Sequence, residues 1–307
     1  MLIEPSAVAR IDSACIATGI SGYGLMQAAG HAVAARALRT FPGALRFVVL
    51  AGPGNNGGDG YVCARLLADS GAEVALFELG ADGPLTADAK RARAECRLGG
   101  VPIAHYMPRI GDVVIDALFG AGLSRDLDDT IGELIGRIEA RSLPVLAIDM
   151  PSGIDGRTGR VRGHAFRAEI TVTFMALKPG QLLLPGRDYC GTVDIADIGT
   201  PSRLVAAFES PTKINRPDLW HQYAGPKPAG GHKYSHGALG VFSGGATQTG
   251  AGRMAAEAGL RSGAGLVTLA SPADALSVNA SHLTAVMLRG IDDLRQLGEW
   301  LADPRIS

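Results

Sequence analysis

The chain has 307 residues, of which 47% are hydrophobic, and its formal net charge at pH 7 is −1. This length accommodates two domains or one large one. A near-neutral charge without a basic block argues against binding to nucleic acid or to a membrane surface. No apolar run approaches the roughly 18 residues of a membrane span, and the first residues lack the pattern of a secretory signal, so we expect a cytoplasmic protein. The four dispersed cysteines form no Cys-x-x-Cys pair, which is typical of reduced thiols.

Two helices, followed by an alternation of strands and helices, are predicted for the first part of the chain. Residues 4–18 and 21–39 carry apolar side chains at helical spacing. Strands are predicted at 46–51, 73–78, 101–104, 112–118 and 144–148, with helices at 61–69, 86–97 and 130–140 between them. Two further strands, at 168–174 and 192–198, are predicted to extend the sheet at one edge. This alternation predicts a Rossmann-like, three-layer α/β/α fold with a mostly parallel sheet.

A proline-rich stretch separates this region from a second α/β unit. Residues 199–233 contain five prolines and a Gly-Gly pair, a composition typical of a linker. Beyond it, strands are predicted at 238–242 and 266–270, and helices at 249–261, near 274–280 and near 291–302. We therefore predict a domain at 1–205, a linker at 206–232 and a second unit at 233–307. The second unit is short for a two-sided α/β layer, so we expect it to be incomplete.

The first of three polar loops follows the strand at 46–51 and contains a Gly-x-Gly-x-x-Gly pattern that begins at Gly52. This pattern before a helix is a weak signal for dinucleotide binding. Asp59 lies at the start of that helix, where its carboxylate would repel a phosphate. The loop is therefore predicted to hold hydroxyls, an amide or a cation. The alternative is that Asn55, Asn56 and Asp59 only satisfy backbone groups of the turn.

The second loop, 120–125, follows the strand that contains Asp116. Its glycines allow close backbone approach, and Ser124 and Arg125 can donate hydrogen bonds to a phosphate. We predict the phosphate site here. The alternative is an ordinary loop with a solvated arginine.

The third loop begins with Asp149, directly after a buried strand. Partial desolvation there is expected to raise the pKa of Asp149 and suit it to proton transfer, unless the side chain only braces the turn. Asn56, Asp116 and Ser152 offer hard oxygen ligands, which favour a monovalent cation, or none, over zinc. Lys178 follows nearby and either reaches this site or lies on the surface.

Four segments resemble the NAD(P)H-hydrate epimerases: 52–60, 116–125, 149–155 and 173–180. The resemblance covers about residues 1–205, and the run Asn-Asn-Gly-Gly-Asp-Gly is its most specific part. Gln27 departs from the family pattern, in which glutamate is usual. The resemblance implies an isomerase that interconverts the R and S forms of hydrated NADH and NADPH (NADHX and NADPHX) for nucleotide repair.

The resemblance also implies roles for individual residues. It assigns Asp149 to substrate binding, whereas the role of Asp149 in proton transfer is predicted from its position after the buried strand. It assigns potassium to Asn56, Asp116 and Ser152. The residues it assigns to the hydrated dinucleotide lie in two groups: Asn55, Asn56, Gly57, Gly58 and Asp59, and Gly120, Ala121, Gly122, Leu123, Ser124, Arg125 and Asp126.

Residues 232–268 resemble the start of the ADP/ATP-dependent NAD(P)H-hydrate dehydratase, a ribokinase-like lyase domain. Tyr234 stands where that family usually has glycine. The family's later nucleotide loop and catalytic aspartate have no counterpart before Ser307. We therefore expect a truncated domain without dehydratase activity, in which ADP or ATP has no role.

Two other functions compete with an epimerase at this point. The glycine pattern suggests an NAD-dependent dehydrogenase. Gln27 and the short second unit suggest a non-enzymatic nucleotide-binding or scaffold protein. In each case the expected partner is a small molecule, and binding to nucleic acid or to a membrane is not expected. The sequence does not decide whether the chain forms a homodimer. The sequence does not decide between NADHX and NADPHX.

Overall fold

The computed structural model describes residues 1–80, 85–223, 225 and 230–303, and the chain divides into two compact units, Met1–Asn215 and Arg216–Ser307. The domain limits predicted from the sequence, 1–205 and 233–307, stay a prediction. The predicted linker between them includes residues 224 and 226–229, which lie outside the described residues.

The first unit contains helices and strands in near-regular alternation. Its helices are α1 (Pro5–Ala17), α2 (Gly22–Thr40), α3 (Asn55–Asp69), α4 (Ala87–Glu95), α5 (Asp129–Glu139), α6 (Gly186–Cys190) and α7 (Ser202–Ala207). Its strands are β1 (Arg46–Ala51), β2 (Val74–Glu78), β3 (Gly100–Pro102), β4 (Asp112–Ala117), β5 (Val145–Ile148), β6 (Ile170–Phe174) and β7 (Thr192–Ala196).

The seven strands form one sheet in the order β3-β2-β1-β4-β5-β6-β7, and every neighbouring pair is parallel. The predicted Rossmann-like α/β fold with a parallel sheet is therefore confirmed, as is the extension of one edge by β6 and β7. The chain order reverses between β1 and β4. In open α/β sheets a ligand crevice lies outside the carboxyl ends of the strands at such a reversal.

Both faces of the sheet are covered, and β1 is apolar and buried after its first residue, from Phe47 to Ala51. Val49 packs on one face with residues of α1, α2, α3 and α4. Val48 and Leu50 pack on the other face with residues of α5. Complete burial of each such side chain contributes about 1.5–3 kcal/mol. These two cores fix the central strands, and the strands fix the loops at their ends.

Two glycines after β1 bring the loops of β1 and β4 into direct backbone contact. A Cβ atom on Gly52 would lie 1.9 Å from the carbonyl oxygen of Leu118, and one on Gly57 would lie 1.9 Å from the carbonyl oxygen of Gly52. Only glycine therefore fits at these positions. The contact holds the loops after β1 and β4 side by side.

The second unit has a smaller parallel sheet of its own, in the order β10-β9-β8. Its strands are β8 (Ala238–Phe242), β9 (Leu266–Ser271) and β10 (Met287–Gly290), and its helices are α8 (Pro217–Trp220), α9 (Gly250–Ser262), α10 (Leu276–Ala280) and α11 (Leu294–Leu301). Strand β10 was not predicted, since its sequence, Met-Leu-Arg-Gly, lacks an apolar alternation. In the described part of both units, no helix is long and apolar enough to cross a bilayer.

Candidate active site

A cleft of about 690 Å³ opens in the first unit at the carboxyl ends of β1, β4 and β5. Helices α1 and α2 form one wall, and residues 54–56 and 118–125 form much of the rest. Asp149 and Lys178 also line it. Its volume falls within the range of small-molecule sites, roughly 300–1,000 Å³.

A buried ion pair lies at the end of β5. The Nζ atom of Lys178 is 2.6 Å from Oδ1 of Asp149, and the Lys178 side chain is only 1% exposed. The same Nζ donates to Oγ1 of Thr173 at 2.8 Å and to the carbonyl oxygen of Phe174 at 3.2 Å. Lys178 is therefore a buried member of the cleft wall, which excludes the surface alternative.

The backbone directs the carboxylate of Asp149 into this position. Asp149 has a φ of +64°, in the left-handed region that few residues other than glycine adopt. Its Oδ2 accepts a hydrogen bond of 2.8 Å from the backbone N–H of Ala121. The side chain of Gln181 donates to its carbonyl oxygen at 2.8 Å. Left-handed backbone at a residue other than glycine is a common feature of functional sites.

The charge of Asp149 differs from the expectation based on sequence. Burial alone would raise the pKa of Asp149, but Lys178, through its charge and its hydrogen bond, together with Ala121 and Thr173, brings the pKa below the usual value. The prediction of a raised pKa was wrong because it did not include the contact with Lys178. That residue lies 29 positions further along the chain, so the local sequence does not show the contact. Asp149 is a carboxylate at neutral pH and is suited to accept a proton rather than to donate one.

Two further carboxyl groups line the same cleft, Asp59 from α3 and Asp12 from α1. Burial, reinforced by the negative charges of Asp149 and Asp12, raises the pKa of Asp59 well above its usual value. Burial also raises the pKa of Asp12, with Lys178 opposing and Asp149 reinforcing the shift. The predicted repulsion between Asp59 and a phosphate is therefore weaker than a full negative charge would give.

Asp116 and Ser152 form a buried hydrogen-bonded pair. The hydroxyl of Ser152 donates to Oδ1 of Asp116 at 2.6 Å, and its backbone N–H donates to Oδ2 at 2.7 Å. Burial raises the pKa of Asp116 to about 6, although the bonds from Ser152 and Leu118 oppose the shift. Ser152 also accepts from the backbone N–H of Phe119 at 2.9 Å, which ties the pair to the loop after β4.

The third residue that the resemblance assigns to potassium, Asn56, lies in the first turn of α3 and lines the cleft. A Cβ on Gly120 would be 3.2 Å from its Oδ1, so Asn56 borders the loop after β4. Its Nδ2 is buried and has no hydrogen-bond partner within the described residues. Turning the amide by half a rotation would place its oxygen there, as a cation would require. The described residues hold no cluster of three histidine, cysteine or acidic groups for a transition metal. Amide, hydroxyl and carboxylate oxygens fit a monovalent cation.

The loop after β4 combines flexible glycines with an exposed arginine. Ser124 and Arg125 are exposed and border the cleft. The Arg125 guanidinium lies 6.0 Å from the centre of the Phe119 ring. This arrangement leaves the donors of Arg125 accessible to an anion in the cleft.

Most of the residues predicted to bind substrate line this cleft, and three do not. The lining residues are Asn55, Asn56, Asp59, Gly120, Ala121, Gly122, Leu123, Ser124, Arg125 and Asp149. Gly57 and Gly58 instead allow close packing of α3, since a Cβ on Gly58 would lie 2.5 Å from the Met26 methyl group. Asp126 is exposed outside the lining.

Sequence reasoning missed three polar residues of the site and left a fourth open. It did not single out Asp12, Thr173 or Gln181, and it left Lys178 undecided. A carboxylate on the cleft-facing side of α1, one turn from Val8 and Ile16, was the available signal for Asp12. Gln27, the departure from the family pattern, is half-buried on α2 and is not among the cleft-lining residues.

The geometry lies within a region that a family model matches. The model described as "YjeF-related protein N-terminus" matches residues 22–180, which include β1, β4 and β5 with their loops. The chain belongs to this family. A crystal structure of the yeast protein ynu0 has the same fold, with a TM-score of 0.57 and 21% identity, and covers 71% of this chain and 98% of its own.

Curated relatives carry names that concern hydrated nicotinamide nucleotides. The chain is 38% identical over 181 residues to an NAD(P)H-hydrate epimerase of Limosilactobacillus fermentum, covering 58% of this chain and 87% of the relative. It is 35% identical over 287 residues to the bifunctional NAD(P)H-hydrate repair enzyme Nnr of Escherichia coli, covering 92% of this chain. The chain spans 56% of that enzyme's length and 62% of the length of its Coxiella burnetii counterpart.

Proposed function

We propose that this chain is an isomerase that interconverts the R and S forms of hydrated NADH and NADPH. The observation that carries the proposal is the buried pair Asp149–Lys178, which opens on the cleft beside the loop that bears Arg125. The pair also lies within residues 22–180, which the family model matches, and the chain is similar over 181 residues to a relative named NAD(P)H-hydrate epimerase.

The reaction needs little more than proton transfer and a held ring. In hydrated NADH the hydroxyl group lies on the nicotinamide ring carbon next to nitrogen, so that carbon is the centre of a hemiaminal. Loss of the hydroxyl with help from the nitrogen gives an iminium ion, and ring opening gives an aldehyde. Water or the hydroxyl can then return to either face. Asp149, held as a carboxylate by Lys178, is the proton acceptor.

The rest of the cleft suits the remainder of a dinucleotide. Arg125 and Ser124 at the exposed end provide donors for the diphosphate. Asn55 and Asn56 provide amides for hydroxyl groups or for the carboxamide. Asp59, whose raised pKa suppresses its charge, tolerates a nearby anion.

Potassium is the cofactor that we propose for this site. Asn56, Asp116 and Ser152 would hold it, and the ion would supply positive charge next to the loop after β4. Thermal unfolding measures this directly. We expect KCl to raise the melting temperature more than LiCl at equal ionic strength, and an equal effect of the two salts would contradict the proposal.

The decisive experiment supplies a single NADHX epimer to the purified chain and follows the other epimer by chromatography, with NADPHX in parallel. We expect acceleration over the uncatalysed interconversion, without a net change in the amount of hydrate. Binding without turnover would favour the scaffold alternative. Oxidation of intact NADH by a carbonyl compound would favour the dehydrogenase. Loss of the hydrate in the presence of ATP would reveal dehydratase activity.

The cytoplasmic location of the chain stays a prediction.

A further inference from the structure

Helix α1 contributes one wall of the cleft through a single face. Pro5, Val8, Ala9, Asp12 and Ile16 line the cleft and lie on successive turns of the helix. Four of these five side chains are apolar. Asp12 is thus the one ionisable side chain that α1 presents to the cleft.

Three ionisable residues from other parts of the chain line the same cleft as Asp12 and interact with it electrostatically. They are Lys178, which follows β6, Asp149 at the end of β5, and Asp59 on α3. On the same helix, burial and the negative charge of Asp12 raise the pKa of Cys15. Asp12 is half-buried, and none of the hydrogen bonds among the described residues involves its side chain. A carboxyl group that braces the fold would be held by donors, as Asp155 is by the N–H groups of Arg157 and Thr158.

Inversion of a carbon that exchanges its hydroxyl through a planar ion has a geometric requirement. The hydroxyl leaves from one face as water after it gains a proton, and water adds to the other face as it loses one. An efficient catalyst needs an acid on one face and a base on the other. Asp149 can serve only one face, because its carboxylate is fixed by Lys178 and Ala121.

We propose that Asp12 is the second acid–base residue of this cleft and serves the ring face opposite to Asp149. The inference rests on the epimerase function proposed above. Asp12 projects from α1 and Asp149 from the end of β5, so the two carboxyl groups approach a ring in the cleft from different elements.

The step balances with one proton on the pair. The Asp12 carboxyl group donates its proton to the ring hydroxyl, the C–O bond breaks with its electrons on the departing water, and the nitrogen lone pair forms the C=N bond of the iminium ion. Water then adds to the other face, its electrons form the new C–O bond, and its proton passes to Asp149. The reverse reaction uses the same groups in exchanged roles. Proton exchange with solvent restores the starting state.

The raised pKa of Asp12 and the lowered pKa of Asp149 support this assignment. Between the two pKa values Asp12 is protonated and Asp149 is not, which is the state that the forward step needs. The rate should fall as the pH rises through the pKa of Asp12 and also as it falls through that of Asp149. Groups whose environments separate their pKa values in this way commonly divide the roles of acid and base.

The test compares Asp12→Asn with Asp12→Glu, Asp59→Asn and the control Asp188→Asn, an exposed residue outside the cleft. Each variant receives a single NADHX epimer in water enriched in ¹⁸O, across a range of pH. For Asp12→Asn we expect kcat to fall about 100-fold, KM to change by less than about threefold, and the high-pH decline in rate to disappear. Asp12→Glu should recover part of kcat and retain the high-pH decline. The wild-type product should contain ¹⁸O at the ring hydroxyl.

The outcomes separate the two proposals. If the wild-type chain does not interconvert the epimers, the proposed function fails and this inference falls with it. If the wild type does so and Asp12→Asn keeps its kcat and pH profile, only the role of Asp12 is overturned. The same holds if Asp59→Asn, rather than Asp12→Asn, removes the high-pH decline. Circular dichroism shows whether each variant is folded.

Discussion

Two buried ion pairs lie at opposite ends of the same sheet, and they differ in what surrounds them. Arg46 and Asp112 are the first residues of β1 and β4 and are paired in register. Their side chains are 13% and 3% exposed, and the Arg46 guanidinium binds both carboxylate oxygens, at 2.9 and 2.8 Å. Asp149 and Lys178 form the other pair, at the carboxyl end of the sheet, where the cleft opens.

The two pairs differ in the groups that donate hydrogen bonds to the aspartate and in whether an open cleft lies beside the pair. The hydroxyl of Tyr106 and the backbone N–H of Arg109 also bind Asp112, at 3.0 and 2.9 Å, so protein groups close this site. The planar guanidinium of arginine binds a carboxylate through two hydrogen bonds at once, whereas the ammonium group of lysine acts as a point charge. The pair at the amino end is therefore built to hold strands together. The pair at the carboxyl end can respond to a ligand.

Replacing Lys178 by Met should have the largest effect of these substitutions, and we expect that effect on kcat. Without the ammonium group, burial of Asp149 is less well compensated, so its pKa should rise and the carboxylate should be a less available base. We expect kcat for the interconversion of NADHX epimers to fall about 10²–10⁴-fold. The acid limb of the pH profile should also move to higher pH. Lys213→Met, at an exposed surface pair, is the matched control. A kcat within about threefold of the wild type at pH 7 would show that catalysis does not depend on the charge of Lys178 beside Asp149.

Replacing Asp112 by Asn should affect stability rather than chemistry. The change leaves the Arg46 charge buried without its anion, and loss of one partner of a buried pair costs about 3–5 kcal/mol. Urea unfolding followed by circular dichroism measures the loss, because both tryptophans, Trp220 and Trp300, lie in the second unit. The Michaelis constant of the folded variant should stay close to that of the wild type. An unchanged unfolding midpoint would show that this pair does not stabilise the sheet.

Asp155, six residues after Asp149, is a third carboxylate that protein donors hold, and we expect its replacement to have a smaller effect on stability than that of Asp112. Burial opposes ionisation, but hydrogen bonds from Thr158 and Arg162 lower the pKa of Asp155 to about 2. Because the folded-state pKa lies below the unfolded value of 3.8, its contribution is present above about pH 4 and is lost as the pH falls through about 2. The shift corresponds to about 2 kcal/mol.

Asp155→Asn should therefore be less stable than the wild type at pH 6, and the difference should shrink as the pH falls toward 2. Thermal unfolding across this range provides the measurement, with Asp188→Asn as the control. A difference that is constant with pH would show that the ionised form of Asp155 does not stabilise the loop.

The sequence predicted the fold of the first unit well because its central strands are rich in apolar, β-favouring residues and alternate with helical patterns. Strands were predicted at 46–51, 112–118 and 144–148, and the structure has strands at Arg46–Ala51, Asp112–Ala117 and Val145–Ile148. Strand β10 was missed because it is short and largely exposed, and its residues carry no alternating pattern.

The site was harder to predict because its contacts join distant parts of the chain. The sequence placed Asp149 at a strand end but missed the sign of its pKa shift, which depends on Lys178. The helical spacing of apolar residues in α1 was recognised, but Asp12, which lines the cleft, was not singled out. The position of Lys178 in the cleft wall does not follow from a local sequence pattern, and neither does the Asn56 Nδ2 that has no partner within the described residues. Both depend on how the loops meet.

The most direct test of the account is the rate at which Asp149→Asn interconverts the NADHX epimers, measured beside the wild type and Asp188→Asn. Asparagine keeps the size of the side chain and can still bind the N–H of Ala121, but it cannot accept a proton. We expect a folded protein whose kcat is lower than that of the wild type by about 10²–10⁴-fold. A folded variant with the wild-type rate would contradict the assignment of Asp149 as the base of the cleft.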